Sequence, residues 1–356
     1  TLRMAALALL SLPLLVLGSG CQAPGTCTPP KSRYSWSAPV VPRIQWGDSG
    51  GYCGALSIQT LALTYGAYLS QDAIRKSTGP GGGHGDDKWG YEILHTNIEE
   101  ALENLSIEYE SWDWKSSPQP QADAYRAWMK KNLANRNPVI WFIYCKGDAH
   151  DSYGLGHYDH IEPVYAIYSN QTLNDTSVYP NDVIGHQSDW DKYTYYRQMS
   201  SLNDTMQMEG NCLNAVEGWP HDEAYPCIPQ MVDYGYSIKG IRDTGGLSLP
   251  LYLVLDKTYE PNVRFGPPKD MYAKVTISNL KSGCKYNLLC YHGAKNVPQN
   301  GNYFANVHHN FSFVASGPEF IYKDPVPFLS DLVVYYFAIP INKDSNSMKT
   351  SYSQEL

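Results

Sequence analysis

The sequence lacks basic clusters. Lys and Arg number 27 against 35 Asp and Glu in 356 residues, the net charge is −8, and no run of basic residues occurs. Nucleic acid and anionic membrane surfaces need clustered cations, so both are excluded as main partners. Charged residues are scarce at 17%, whereas 43% hydrophobic content suffices for a substantial core. After Met4–Leu17 no stretch is long and apolar enough for a membrane helix. There is no HExxH, no CxxC pair, no internal repeat and no low-complexity tract. His150, Asp151, His157, Asp159 and His160 crowd one stretch, but without those spacings no metal and no cofactor are expected.

Other features point to export. "LRMAALALLSLPLLVLGSG" offers an Arg, an apolar run and small residues, so residues 1–20 read as a secretory signal. Five N-x-S/T sequons, at Asn104, Asn170, Asn174, Asn203 and Asn310, fit a glycosylated chain in the secretory lumen or outside the cell. Eight cysteines should then be mostly paired. The expected local bridges are Cys212 with Cys227 and Cys284 with Cys290. If Cys21 is lost with the signal or stays loose, Cys27 could reach Cys145, which leaves Cys53 as the odd thiol.

The length suits two domains or one large one. Residues 21–44 are rich in Pro and Ser and read as an extended lead-in, with a first domain over 45–245. "ALSIQTLALTYGAYL" has apolar residues at helical spacing, and Ser70 should cap a short second helix. "TGPGGGHGDD" reads as a flexible surface loop, and Thr96 to Glu99 as a capping box. "QADAYRAWMKKNLANR" is an amphipathic helix; "NPVIWFIY", "HIEPVYAIYS" and "DVIGHQ" are strands. From Leu247 to about residue 343, short alternating strands follow one another with no helix, the signature of a β-sandwich. Residues 344–356 form a polar tail.

"QWGDSGGYCG", Gln45–Gly54, poses the question of the nucleophile. "GDSGG" surrounds the serine of chymotrypsin-like proteases, but that fold needs its His and Asp upstream, and no His precedes His84. Ser49 is therefore discounted. Cys53 opens a predicted helix, whose N-terminal partial charge and free N–H groups stabilise a thiolate. Gln45, across the glycine turn, could join the Cys53 N–H in an oxyanion hole. A base comes from His157 or His160 at the start of the strand "HIEPVYAIYS"; His160, which opens the clear part of it, is preferred. Asp189 follows the next strand and would orient the imidazole, with Asp182 or Asn181 as alternatives.

The order of Gln, Gly-turn with Cys-Gly, His on a strand and "SDW" after a strand resembles the papain superfamily of cysteine peptidases. The likeness is nearest to its compact bacteriocin-processing-peptidase-like branch and covers roughly residues 45–200. It implies an α+β fold, a papain-like cysteine-peptidase domain followed by a fibronectin/immunoglobulin-like β-sandwich. It also implies a secreted thiol hydrolase with Cys53 as nucleophile, His160 as base, Asp189 as its orienter and Gln45 as oxyanion donor. The substrate would be a peptide or another amide, and the β-sandwich would bind substrate, a glycan or an extracellular protein. The alternative is a catalytically inactive structural or adhesion glycoprotein that reuses the fold. A metal-dependent hydrolase using His157 and His160 ranks third.

Overall fold

The computed structural model describes residues 28–46, 51–83, 85–146, 157–187, 193–202, 233–257 and 267–341. It is α+β, with helices packed on antiparallel sheets. In chain order the first elements are β1 (Tyr34–Ser37), α1 (Cys53–Ala62), β2 (Ala67–Leu69), α2 (Gln71–Arg75), β3 (Gly85–Asp86), β4 (Gly90–Tyr91) and α3 (Ile98–Asn104). They continue with β5 (Ile107–Ser111), α4 (Ala122–Ala134), β6 (Val139–Lys146), β7 (His157–Ser169), β8 (Val183–Gln187), β9 (Thr194–Gln198) and β10 (Tyr234–Ile241). The strand-only segment holds β11 (Leu251–Leu255), β12 (Asp270–Met271), β13 (Ala273–Ile277), β14 (Lys285–His292), β15 (His309–Val314), β16 (Phe320–Lys323), β17 (Phe328–Leu329) and β18 (Val333–Pro340).

The largest sheet runs β5-β10-β6-β7-β8-β9, and β1 pairs with the second half of β7. Strand alternation gives this sheet two apolar faces. Ile140, Phe142, Ile161 and Tyr236 face α1, whereas Val139, Trp141, Val164 and Ile184 face α4. The same α1-side core takes in Leu289, Tyr335 and Phe337 of a second sheet, β15-β14-β18-β2. All ten residues of α1 are accordingly buried, as expected of a helix enclosed between two sheets.

The helix ends sooner than its apolar spacing suggests. After a short 3₁₀ turn, Gly66 adopts φ +80°, a conformation L side chains rarely take, and the chain reverses into β2. Ala67–Leu69, expected to be helical, pairs instead with Val333–Tyr335 of β18. Ser70 does cap α2, its Oγ accepting from the Ala73 N–H. The capping box at Thr96 does not form. Thr96 Oγ1 donates to Gly81 O, and Asn97 fixes the turn by accepting from Leu94 N and donating to Glu92 O. Those same side chains staple the glycine-rich loop, since Asn97 also donates to Gly79 O.

In the strand-only segment, β11-β13-β16 packs across a shared apolar core from β14, β15 and β18. Phe311 stacks on Tyr322 and Phe313 on Phe320, closing one edge between β15 and β16. The composition changes near Leu247, but the packing crosses that point: Leu63 and Tyr68 lie in this second core. Buried tyrosines stitch the halves together, with Tyr68 donating to Ser330 O at 2.6 Å and Tyr335 to Leu105 O at 2.7 Å. Each hydroxyl satisfies a distant backbone carbonyl that burial cuts off from water.

The expected Cys284–Cys290 bridge is absent; both thiols are free. Cys284 immediately precedes β14, and Cys290 lies six residues along its extended chain, at roughly 3.3 Å per residue. That separation is far beyond disulfide reach. Cys27, Cys212 and Cys227, and the Cys145 side chain, lie outside the described residues, as does the 1–20 segment. Asn104, Asn170, Asn174 and Asn310 are exposed; Asn203 is not among the described residues. Among the described residues no helix is long and apolar enough to cross a membrane.

Candidate active site

Cys53 is the first residue of α1; it is not in a disulfide and is 7% exposed. The N-cap residue Tyr52 makes no side-chain cap hydrogen bond, and no acidic residue lies in the first turn. The positive end of the helix dipole lies at this end of α1. The turn before it is fixed from below. Gly51 adopts φ +63°, and a Cβ there would fall 2.1 Å from Glu92 Oε1. Arg75 Nη1 donates to Gly51 O at 2.6 Å, and its guanidinium lies 4.4 Å from the Tyr52 ring centroid. Tyr52 in turn donates to Asp72 Oδ1 at 2.5 Å. Thus α2 holds the backbone that presents the thiol.

Gln45 is half-buried on a segment tied down on both sides. Gln71 donates to Ile44 O at 2.9 Å and accepts from Trp46 N at 3.0 Å. Gln71 also donates to Gln59 Oε1 at 3.1 Å, which links this segment to α1 itself. One step upstream, Gln187 at the end of β8 accepts from Arg43 N and donates to Arg43 O. The end of β8, the Gln45 segment and α1 therefore converge through two glutamine amides.

α1 lies on β7, where Ser57 Oγ donates to Ile161 O at 3.2 Å. Ser57 is one helical turn from Cys53, and Ile161 is adjacent to His160. The register turns His160 away from this contact: it pairs with Ile143 and shares the α4 face with Glu162 and Val164. Residue 157 pairs with Lys146 at the start of β7, and its side chain lies outside the described residues.

His160 belongs to a buried charged group on that α4 face. Glu162 is fully buried opposite Trp141, and its Oε2 lies 2.7 Å from His186 Nδ1 and accepts from Trp141 Nε1 at 3.3 Å. His160 Nε2 lies 4.0 Å from Glu162 Oε1. Burial pushes the Glu162 carboxyl up, but attraction from His186, His160 and Arg197 and the His186 hydrogen bond hold it below the usual carboxylate range. Arg197 is itself lowered to about 10 by burial, against the raising effect of Glu162. Sequence reasoning passed over Glu162, although a charged residue inside the apolar run "HIEPVYAIY" was the available signal.

The alternatives for the orienting residue are placed away from α1. Asp182 precedes β8, at the opposite end from Gln187, and is paired with Lys130 of α4 at 2.7 Å. Asn181 is exposed. Asp189, His150, Asp151 and Ser49 lie outside the described residues. No protein-family model matches this chain, and no curated protein matches it.

Proposed function

We propose that the protein is an exported, glycosylated papain-like thiol hydrolase acting on a peptide or another amide. Its architecture would be a papain-like unit joined to a β-sandwich through β2. The observation that carries this reading is the placement of Cys53. It is a cysteine outside any disulfide at a helix N-terminus, and its helix packs on the β7 face opposite to His160. His157, rather than His160, is then the base. Asp189 orients its imidazole, and Gln45 with the Cys53 N–H holds the oxyanion.

In this reaction His157 takes the Cys53 proton and the thiolate attacks the amide carbonyl, forming a C–S bond. The tetrahedral intermediate breaks its C–N bond as the imidazolium gives its proton to the leaving amine. Water, deprotonated by the same imidazole, then attacks the thioester; the acid is released and the thiol restored. The four exposed sequon asparagines are compatible with glycosylation, and they support export.

The test is alkylation of the native protein with iodoacetamide from about pH 4 to about pH 9, read by mass spectrometry of the Gln45–Gly54 peptide. Labelling of Cys53 well below the ordinary thiol value of about 8.5 is expected. A second reading, an inactive glycoprotein that reuses the fold, draws on the near-complete burial of Cys53. An inert Cys53 in the folded protein would establish it in place of the hydrolase.

A further inference from the structure

Cys290, His308 and His309 each offer a ligand atom, and these atoms all lie within 4.8 Å of one another. The two histidine Nδ1 atoms are 2.8 Å apart. Register explains the cluster. His309 of β15, Cys290 of β14 and Tyr336 of β18 lie in one row across three adjacent strands. His308, just before β15, is held beside them because its backbone N–H donates to Cys290 O at 2.8 Å.

The surroundings fit a metal site. Asp324 Oδ2 lies 2.7 Å from His309 Nε2, a carboxylate–histidine arrangement that orients the ring and leaves Nδ1 facing the cluster. Asp324 is held in turn, accepting from Tyr336 OH at 2.7 Å and from Val326 N at 2.9 Å. His292 stacks on His308 with centroids 3.7 Å apart and planes 14° apart, which restricts that ring. Cys290 is 1% exposed at the cluster floor, whereas His308 opens to solvent.

We propose that Cys290, His308 and His309 form a mononuclear zinc site, with Asp324 as the residue that positions His309. Soft thiolate with two imidazoles is the donor set zinc prefers over the hard cations. Tetrahedral bonds of about 2.0–2.1 Å to nitrogen and about 2.3 Å to sulfur place ligand atoms roughly 3.3–3.6 Å apart. The Nδ1 pair would open from 2.8 Å, and the sulfur, within 4.8 Å of both, would adjust to this spacing by side-chain rotation. Binding displaces the thiol proton to solvent and leaves both imidazoles neutral. Three protein ligands leave a fourth position for water on the exposed His308 side. The ion would tie β14 and β15 to the Asp324 turn after β16, joining the two sheets at their edge. This site stands apart from Cys53, which lies in the other core, so either proposal can fail alone.

The test uses the full chain, stripped with chelator and titrated with Zn²⁺ alone against a chromophoric competitor, with Co²⁺ as a spectroscopic probe. One equivalent is expected to bind, and Co²⁺ to give a thiolate-to-metal absorption band. C290S should abolish that band, and D324N should weaken binding by about 10–100-fold. If C290S fails to fold, the exposed H308A provides the same test: at least about tenfold weaker Zn²⁺ binding and no zinc-dependent rise in Tm. Absence of stoichiometric binding to the folded wild type, a cobalt band that survives C290S, or unchanged affinity in H308A would each overturn the proposal.

Discussion

The two faces of β7 carry opposite solutions to the same burial. On the α4 side the strand buries charge and pairs it: Glu162 with His186, and beyond the strand Asp182 with Lys130. On the α1 side the described contacts are apolar, apart from single bonds such as Ser57 to Ile161. Paired buried charges are costly to disturb, so the α4 side is a fixed foundation. One strand can therefore present a charged, paired face and an apolar face by alternating its side chains.

The largest expected effect comes from testing that division with the two histidines. H157A should return the Cys53 alkylation profile towards the ordinary thiol value of about 8.5, whereas H160A should leave that profile in place and lower Tm instead. The reverse outcome would move the reactive face to the α4 side. Next in size is K130M. It strands the Asp182 carboxylate, whose partner side chain is 0% exposed, and should cost about 3–5 kcal/mol in a denaturant melt.

E162Q is expected to cost about 1.5–3 kcal/mol at neutral pH, the range for hydrogen bonds to charged groups. Its pH dependence has a definite sign. A carboxylate held low in the folded state contributes stability above its unfolded value, about 4.3, and loses it as pH falls through the folded value. The gap between wild type and E162Q should therefore narrow as melts move below about pH 4. A gap that widens in acid would mean that Glu162 is protonated in the folded protein. The smallest effect is S57A, which removes one buried bond between α1 and β7 and should cost about 1 kcal/mol.

Local signals in the sequence located α1's start, the Ser70 cap, α4 and the strands β6, β7 and β8. Each depends on periodicity or on a cap within a few residues. The misreadings share one cause, a partner distant in sequence. Ala67–Leu69 has helix-compatible residues but extends because β18 needs an edge partner. Thr96 leaves its cap for a carbonyl of the glycine loop fifteen positions away. Cys284 and Cys290 are close along the chain but are held apart by an uninterrupted strand. The place of His160 on the α4 face is likewise readable only once β6 has been set opposite β7. Gln71 and Gln187 gave no signal at all, because amides that pin a backbone look like any surface glutamine in sequence.

The three residues of β2 also order events in time. Tyr68 finds its acceptor in Ser330, 262 residues later in the chain. At roughly 5–20 residues per second, synthesis of the intervening stretch takes on the order of tens of seconds. Throughout that interval the nascent α1–β2–α2 unit exposes a strand edge and the apolar side of the thiol-bearing helix.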